Sequence, residues 1–110
     1  MKYIVDRLLD KNIILKKLNK IDNKDLKTRK RIEVFEGVDL KQNYVAIFFL
    51  KQKSRFLRKD IKPLEDLYER LVEFVDHNFK KKILVYDMPF CSKAKEELKK
   101  SGWRLIDATN

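Results

Sequence analysis

The sequence predicts an α/β domain with a mixed sheet and helices on both faces, and three stretches predict it. Tyr44 to Lys53, YVAIFFLKQK, opens with seven apolar or aromatic residues and stops at three polar ones. A run this short cannot cross a bilayer. Rich in Tyr44, Val45, Ile47, Phe48 and Phe49, it reads as a central strand covered on both faces. From Ile61 to Phe79 the apolar residues Ile61, Leu64, Leu67, Tyr68, Leu71, Val72, Phe74, Val75 and Phe79 recur with helical spacing and form one broad stripe. KILVYD (82–87), the helical segment Ser92 to Lys100 and WRLI (103–106) then make strand, helix and strand with short loops. That is a βαβ crossover, and its two strands are parallel.

The remaining elements follow in chain order. Residues 2 to 20 have helical spacing, with Ile4, Val5, Leu8 and Leu9 on one face and Ile14, Leu15, Leu18 and Ile21 on another. The phase shifts near Asn12, which predicts a bent helix or two short ones, with a strand at Asn12 to Leu15 as the alternative. NKIDNKDLKTRKR is a polar loop made basic by Lys24, Lys27, Arg29, Lys30 and Arg31. RIEVFEGVD (31–39) alternates: Ile32, Val34 and Val38 face one way, and Glu33, Phe35 and Asp39 the other. Glu36 is the odd polar residue on the apolar face, and Gly37 predicts a bulge or bend. Leu40 to Asn43 turns the chain into the central strand, so the two strands are antiparallel neighbours. Asp60 suits a helix N-cap, Pro63 a first turn, and Asn78 a left-handed C-terminal residue. His77 reads as a helix-end residue, and Gly102 closes the last helix. The predicted order over residues 1–110 is α-β-β-α-β-α-β in one domain, since two glycines and two prolines leave no room for a flexible linker.

Composition narrows the function classes. A net charge of +10 attracts polyanions: nucleic acid, acidic protein surfaces or anionic lipid. Lysine-rich composition also arises from AT-rich genomes and heat adaptation. One cysteine excludes an internal disulfide and a cysteine-based zinc site, and one histidine removes most zinc-hydrolase designs. The N-terminus, MKYIVDRLLDKNIILKKL, carries charges throughout its apolar pattern, so neither a signal peptide nor a membrane span is read there and a cytoplasmic location is the default.

Two resemblances bear on chemistry. Pro89-Phe90-Cys91-Ser92 resembles the active-site turn of glutaredoxins, but Met88 stands where the nucleophilic cysteine would be. Cys91 at a helix start would still have a lowered pKa. The broader resemblance covers Gly37 to Asp107. Gly37-Val38-Asp39, Phe49-Leu50-Lys51, the basic segment Gln52 to Lys62, the helix from Pro63, ILVYD, Phe90-Cys91-Ser92 and Trp103-Arg104-Leu105-Ile106-Asp107 follow in the order found in the restriction-endonuclease-like superfamily, Mrr-type and archaeal-ATPase-associated domains in particular.

In that superfamily two acidic side chains hold a divalent metal beside the scissile phosphate, and a lysine orients the water or stabilises developing charge. The resemblance places the lysine at Lys51 and the aspartate at Asp39, which would be the magnesium ligand. The second acid should stand at position 49, where this chain has Phe49, so Glu33 or Glu36 would have to substitute. Two expectations follow. One is a nuclease-like domain without a working metal site that needs no cofactor and binds nucleic acid through Lys51, Lys53, Arg55, Arg58, Lys59 and Lys62. The other is a magnesium-dependent nuclease using Asp39, Lys51 and a displaced glutamate. An adaptor that presents the same basic face to an acidic protein is a third class. An exposed sheet edge would permit a homodimer, and no membrane partner is expected.

Overall fold

A computed structural model describes residues 2–27 and 32–108 of the chain. The predicted loop cations Arg29, Lys30 and Arg31 lie outside the described residues. The elements are α1 (Lys2–Asp10), β1 (Leu15–Ile21), β2 (Ile32–Asp39), β3 (Tyr44–Lys51), a 3-10 turn at Arg58–Asp60, α2 (Ile61–Val75), β4 (Lys81–Asp87), α3 (Ser92–Lys100) and β5 (Trp103–Asp107). The five strands form one sheet in the order β1-β2-β3-β4-β5. The first three are antiparallel neighbours, whereas β3, β4 and β5 run parallel. No helix among the described residues is long and apolar enough to cross a membrane.

The central apolar run sits in the middle of the sheet, as its composition requires. Val45, Ala46, Ile47 and Phe48 are all buried. Alternation along β3 sends Ala46 and Phe48 into a core with Leu64, Leu67 and Leu71 of α2 and Ala94 and Leu98 of α3. Val45 and Ile47 enter the opposite core, with Ile4 and Leu8 of α1, Phe35 and Ile106. The sheet is thus covered on both faces, the arrangement expected for a continuous apolar strand.

The segment after α1 corrects the sequence reading. Only Lys2–Asp10 is helical, and Leu15–Ile21 is an edge strand. The cause of the error is visible in the register. Leu15 pairs with Asp39, Lys17 with Val38 and Leu18 with Gly37, so the ladder shifts by one residue between Leu15 and Lys17. That bulge puts Leu15 and Leu18 on one face at a spacing of three, which imitates a helical period. Ile21, three further on with no bulge, packs into the core on the other face. The observed order is therefore α-β-β-β-α-β-α-β.

Gly37 departs from expectation for a related reason. It pairs regularly with Val45 and Leu18, and the bulge lies in β1 opposite Val38 and Asp39. A Cβ on Gly37 would come within 3.2 Å of Leu15 Cδ1, so the glycine admits a close approach of Leu15. At the end of α2 the left-handed residue is Asp76, at φ 58°, two positions before the expected Asn78. Asp60 stands at the N-cap of α2, but its Oδ2 accepts from the Leu57 backbone N–H at 2.9 Å and so closes the preceding 3-10 turn.

Candidate nucleic-acid interface

The carboxyl end of a parallel β-α-β unit is where open α/β sheets present their ligands, and here that edge gathers the predicted lysine with unexpected neighbours. Lys51 ends β3 opposite Asp87, which ends β4, with Nζ 3.8 Å from Oδ2. Next along the sheet, Glu33 of β2 lies directly across from Phe49, which in turn pairs with Val85 of β4. Glu33 Oε1 accepts from Lys20 Nζ at 3.4 Å, while its Oε2 is buried with no hydrogen-bond partner.

Two hollows flank this edge and share Lys51 and Gln52. The larger, about 900 Å³, has Glu33, Phe49, Phe56 and Asp60 in its walls. The smaller, about 480 Å³, is bordered by Tyr86, Asp87, Phe90 and Lys95. The basic segment arches between them. Lys53, Arg55, Arg58, Lys59 and Lys62 are all exposed, as is Lys51. Arg58 is held by Glu97 of α3 at 2.6 Å.

The residue that fixes this segment in place is Phe56. It is buried, stacks on Phe90 with ring centroids 4.5 Å apart, and forms a parallel bridge to it. Its backbone N–H donates to Pro89 O at 2.9 Å, and its carbonyl accepts from Cys91 N–H at 2.9 Å. The basic segment is therefore pinned at Phe56, through a single bridge, to the loop before α3. The sequence reading took this segment for its charge alone and gave Phe56 no role. The available signal was a large aromatic inside a charged run.

Cys91 sits under the same arch, at the start of α3. The backbone N–H groups of Ala94 and Lys93 hold its thiol below the ordinary cysteine value, and the charges of Arg55 and Lys93 push the same way.

Two predicted residues are elsewhere. Asp39 closes the β2–β3 hairpin, where its Oδ1 accepts from the backbone N–H groups of Lys41 and Asn43, both at 2.9 Å. These bonds, that to Asn43 foremost, and Lys81 Nζ at 3.4 Å from Oδ2 hold its carboxyl below the ordinary aspartate value. Because β2 and β3 are antiparallel, Asp39 lies at the far end of the hairpin from Lys51, roughly 20–25 Å along the sheet. Glu36 points to the opposite face from Glu33, and its Oε2 is 2.7 Å from His77 Nε2. His77 also stacks on Tyr44 at 3.8 Å. The structure thus gives His77 a specific partner that the sequence reading did not name.

A metal site of the kind the resemblance implies needs two converging acids. Of the predicted set, only Glu33 is near Lys51. Of the carboxylates around the two hollows, Asp87 is two strands from Glu33, roughly 10 Å of sheet, with Phe49 on the strand between; Asp60 borders the larger hollow and Asp107 the smaller. Among the described residues no group of three His, Cys, Asp or Glu side chains converges on a common point. At the register position that the resemblance assigns to the second acid, Phe49 offers no oxygen to a metal.

No family model and no curated protein matches the sequence. Solved structures do. EndoMS in its apo form is similar at 16% identity and a TM-score of 0.56, covering 99% of this chain and 46% of that one. A repair endonuclease from Pyrococcus abyssi is similar at 19% identity and 0.55, covering 98% and 46%. An EndoMS complex with double-stranded DNA is similar at 18% identity and 0.54, covering 98% and 44%. The chain has an endonuclease-like, restriction-endonuclease-like fold. It spans less than half the length of these neighbours.

Proposed function

We propose that the chain is a nucleic-acid-binding domain on a nuclease-like fold, holding phosphates along the Lys51 edge without metal-dependent cleavage. The observation that carries this reading is the register pair of Glu33 and Phe49. In the Mrr-type pattern the position two before the lysine supplies a metal-binding acid, and a phenylalanine ring offers no oxygen to a hard cation. What remains at the edge is a cationic rim. Lys53, Arg55, Lys59 and Lys62 make no ion pair with the described residues and stand free to meet phosphates. The half-buried ring of Phe49 beside them suits a base face. The duplex bound in one of the similar structures favours double-stranded DNA as the first ligand to try.

The orphaned Oε2 of Glu33 favours a second reading, an active magnesium-dependent nuclease centred on Glu33 and Lys51. Asp39 has no part in it, because it lies at the other end of the hairpin.

Labelled single- and double-stranded DNA and RNA incubated with magnesium or manganese separate the two. The binding reading expects no cleavage, with gel retention that weakens steeply with salt and falls in a Lys53→Ala/Arg55→Ala/Lys59→Ala variant. Metal-dependent cleavage abolished by Glu33→Gln and by Lys51→Ala would establish the second reading. Neither cleavage nor retention would remove nucleic acid as the ligand.

A further inference from the structure

The opposite end of the sheet carries a third hollow, of about 440 Å³, that plays no part in the edge described above. It opens where the α1–β1 loop, the β2–β3 turn and the amino ends of β4 and β5 meet. Its floor is aliphatic: Ile13, Val45 and Ile83. Ile14 and Leu40 stand at its lip and are 52% and 64% exposed, although both are branched apolar side chains. Around them stand Lys41, Lys80, Lys81 and Arg104, with Asp39 as the acidic residue among the lining side chains. Asp39 is already engaged by the hairpin amides and by Lys81. The ammonium groups of Lys41 and Lys80 make no ion pair with the described residues.

We propose that this hollow docks an acidic peptide segment of another protein, with one apolar side chain seated on the aliphatic floor and flanking carboxylates on the lysine rim. Two features choose this occupant. The uncompensated rim cations select an anion. The walls contain no aromatic ring, so they offer no stacking platform for a base, in contrast to the Lys51 edge. A phosphate backbone would use the cations and leave Ile14 and Leu40 in water. A peptide that covers both uses the charge and the apolar lip together, the arrangement of a small buried anchor inside a polar rim. The hollow and Lys51 are separated by the length of β3, roughly 20 Å, so peptide and nucleic acid can be held at once. The proposal stands independently of the nucleic-acid reading.

The test uses a panel of fluorescent twelve-residue peptides, rich in Asp and Glu, with Leu, Phe, Trp or Ser at the centre, measured by anisotropy in about 150 mM salt. Saturable binding of the apolar-centred peptides is expected, at least tenfold tighter than the Ser-centred one. Lys41→Glu/Lys80→Glu and Ile14→Ser/Leu40→Ser should each weaken it at least tenfold, while Lys53→Ala/Arg55→Ala leaves it unchanged. All four substituted side chains are exposed, so the fold tolerates the changes, and amide spectra check this. No saturable binding by any peptide, equal binding of the Ser-centred peptide, or displacement by an oligonucleotide that itself depends on Lys41 and Lys80 would each overturn the proposal. Retention of oligonucleotides by the Lys51 edge is read separately on the same variants, so failure of one reading is not failure of the other.

Discussion

Asp39 and Lys51 stand at opposite ends of one antiparallel hairpin, so the two residues that most resemble a catalytic pair in sequence do not meet at one scissile phosphate. The aspartate instead satisfies the amides of its own turn. Its removal is therefore expected to weaken the fold and leave nucleic-acid retention intact at temperatures where the variant stays folded.

The pH dependence of that effect has a fixed sign. The folded-state pKa of Asp39 is lowered from 3.8, first by the Asn43 amide. A carboxyl with a depressed folded pKa contributes stability above its unfolded value and loses it as pH falls through the folded one. The melting temperature of Asp39→Ala should lie below wild type at pH 7, and the gap should close below about pH 4. Thermal unfolding by circular dichroism between pH 2 and 7 measures it, and a gap that is constant over this range would contradict the ionic role of Asp39.

Phe56 carries both stability and the shape of the basic edge. Truncating a fully buried phenylalanine costs about 3–5 kcal/mol. Phe56→Ala should lower the urea midpoint accordingly and, at temperatures where it remains folded, loosen the arch that holds Lys53 and Arg55. Phe56→Leu should recover most of the stability. Nucleic-acid retention that is unaffected in folded Phe56→Ala would show that the arch does not position the cations.

Glu36 and His77 tie β2 to the chain just beyond α2 at 2.7 Å, in a partly buried setting against Tyr44. Groups in direct contact couple by about 0.5–3 kcal/mol. A double-mutant cycle with Glu36→Gln and His77→Phe, read by urea unfolding, should give a coupling in that range. Oligonucleotide retention should not change, because the pair lies away from the Lys51 edge.

Cys91 should react as a thiol of lowered pKa. Iodoacetamide alkylation followed against pH should reach half its maximal rate at a lower pH than for a free cysteine, whose ordinary value is about 8.5. Arg55→Ala should move the midpoint up, since the arginine charge favours the thiolate. A midpoint at or above the ordinary value would mean that the helix-start amides do not reach the sulfur.

How much of this was legible beforehand follows from the range over which each signal acts. Tyr44 to Lys51 declared itself a central strand because burial on both faces leaves an unbroken apolar run, and β4, α3 and β5 were readable because short loops and alternating periods are local properties. The basic edge was also legible, since Lys51 to Lys62 is contiguous in sequence. The strand β1 was not, because one bulge between Leu15 and Lys17 turned a period of two into an apparent period of three. Nor was the composition of the candidate site. Glu33 meets Phe49 and Asp87 meets Lys51 only through register, and Glu36 meets His77 only through the return of the chain after α2. The sequence by itself therefore determined the layers, the charge of one edge and the type of most elements. Tertiary structure alone decided which acids stand near Lys51, because β3 runs straight away from the turn that holds Asp39 and brings Lys51 level with the start of β2 and the end of β4.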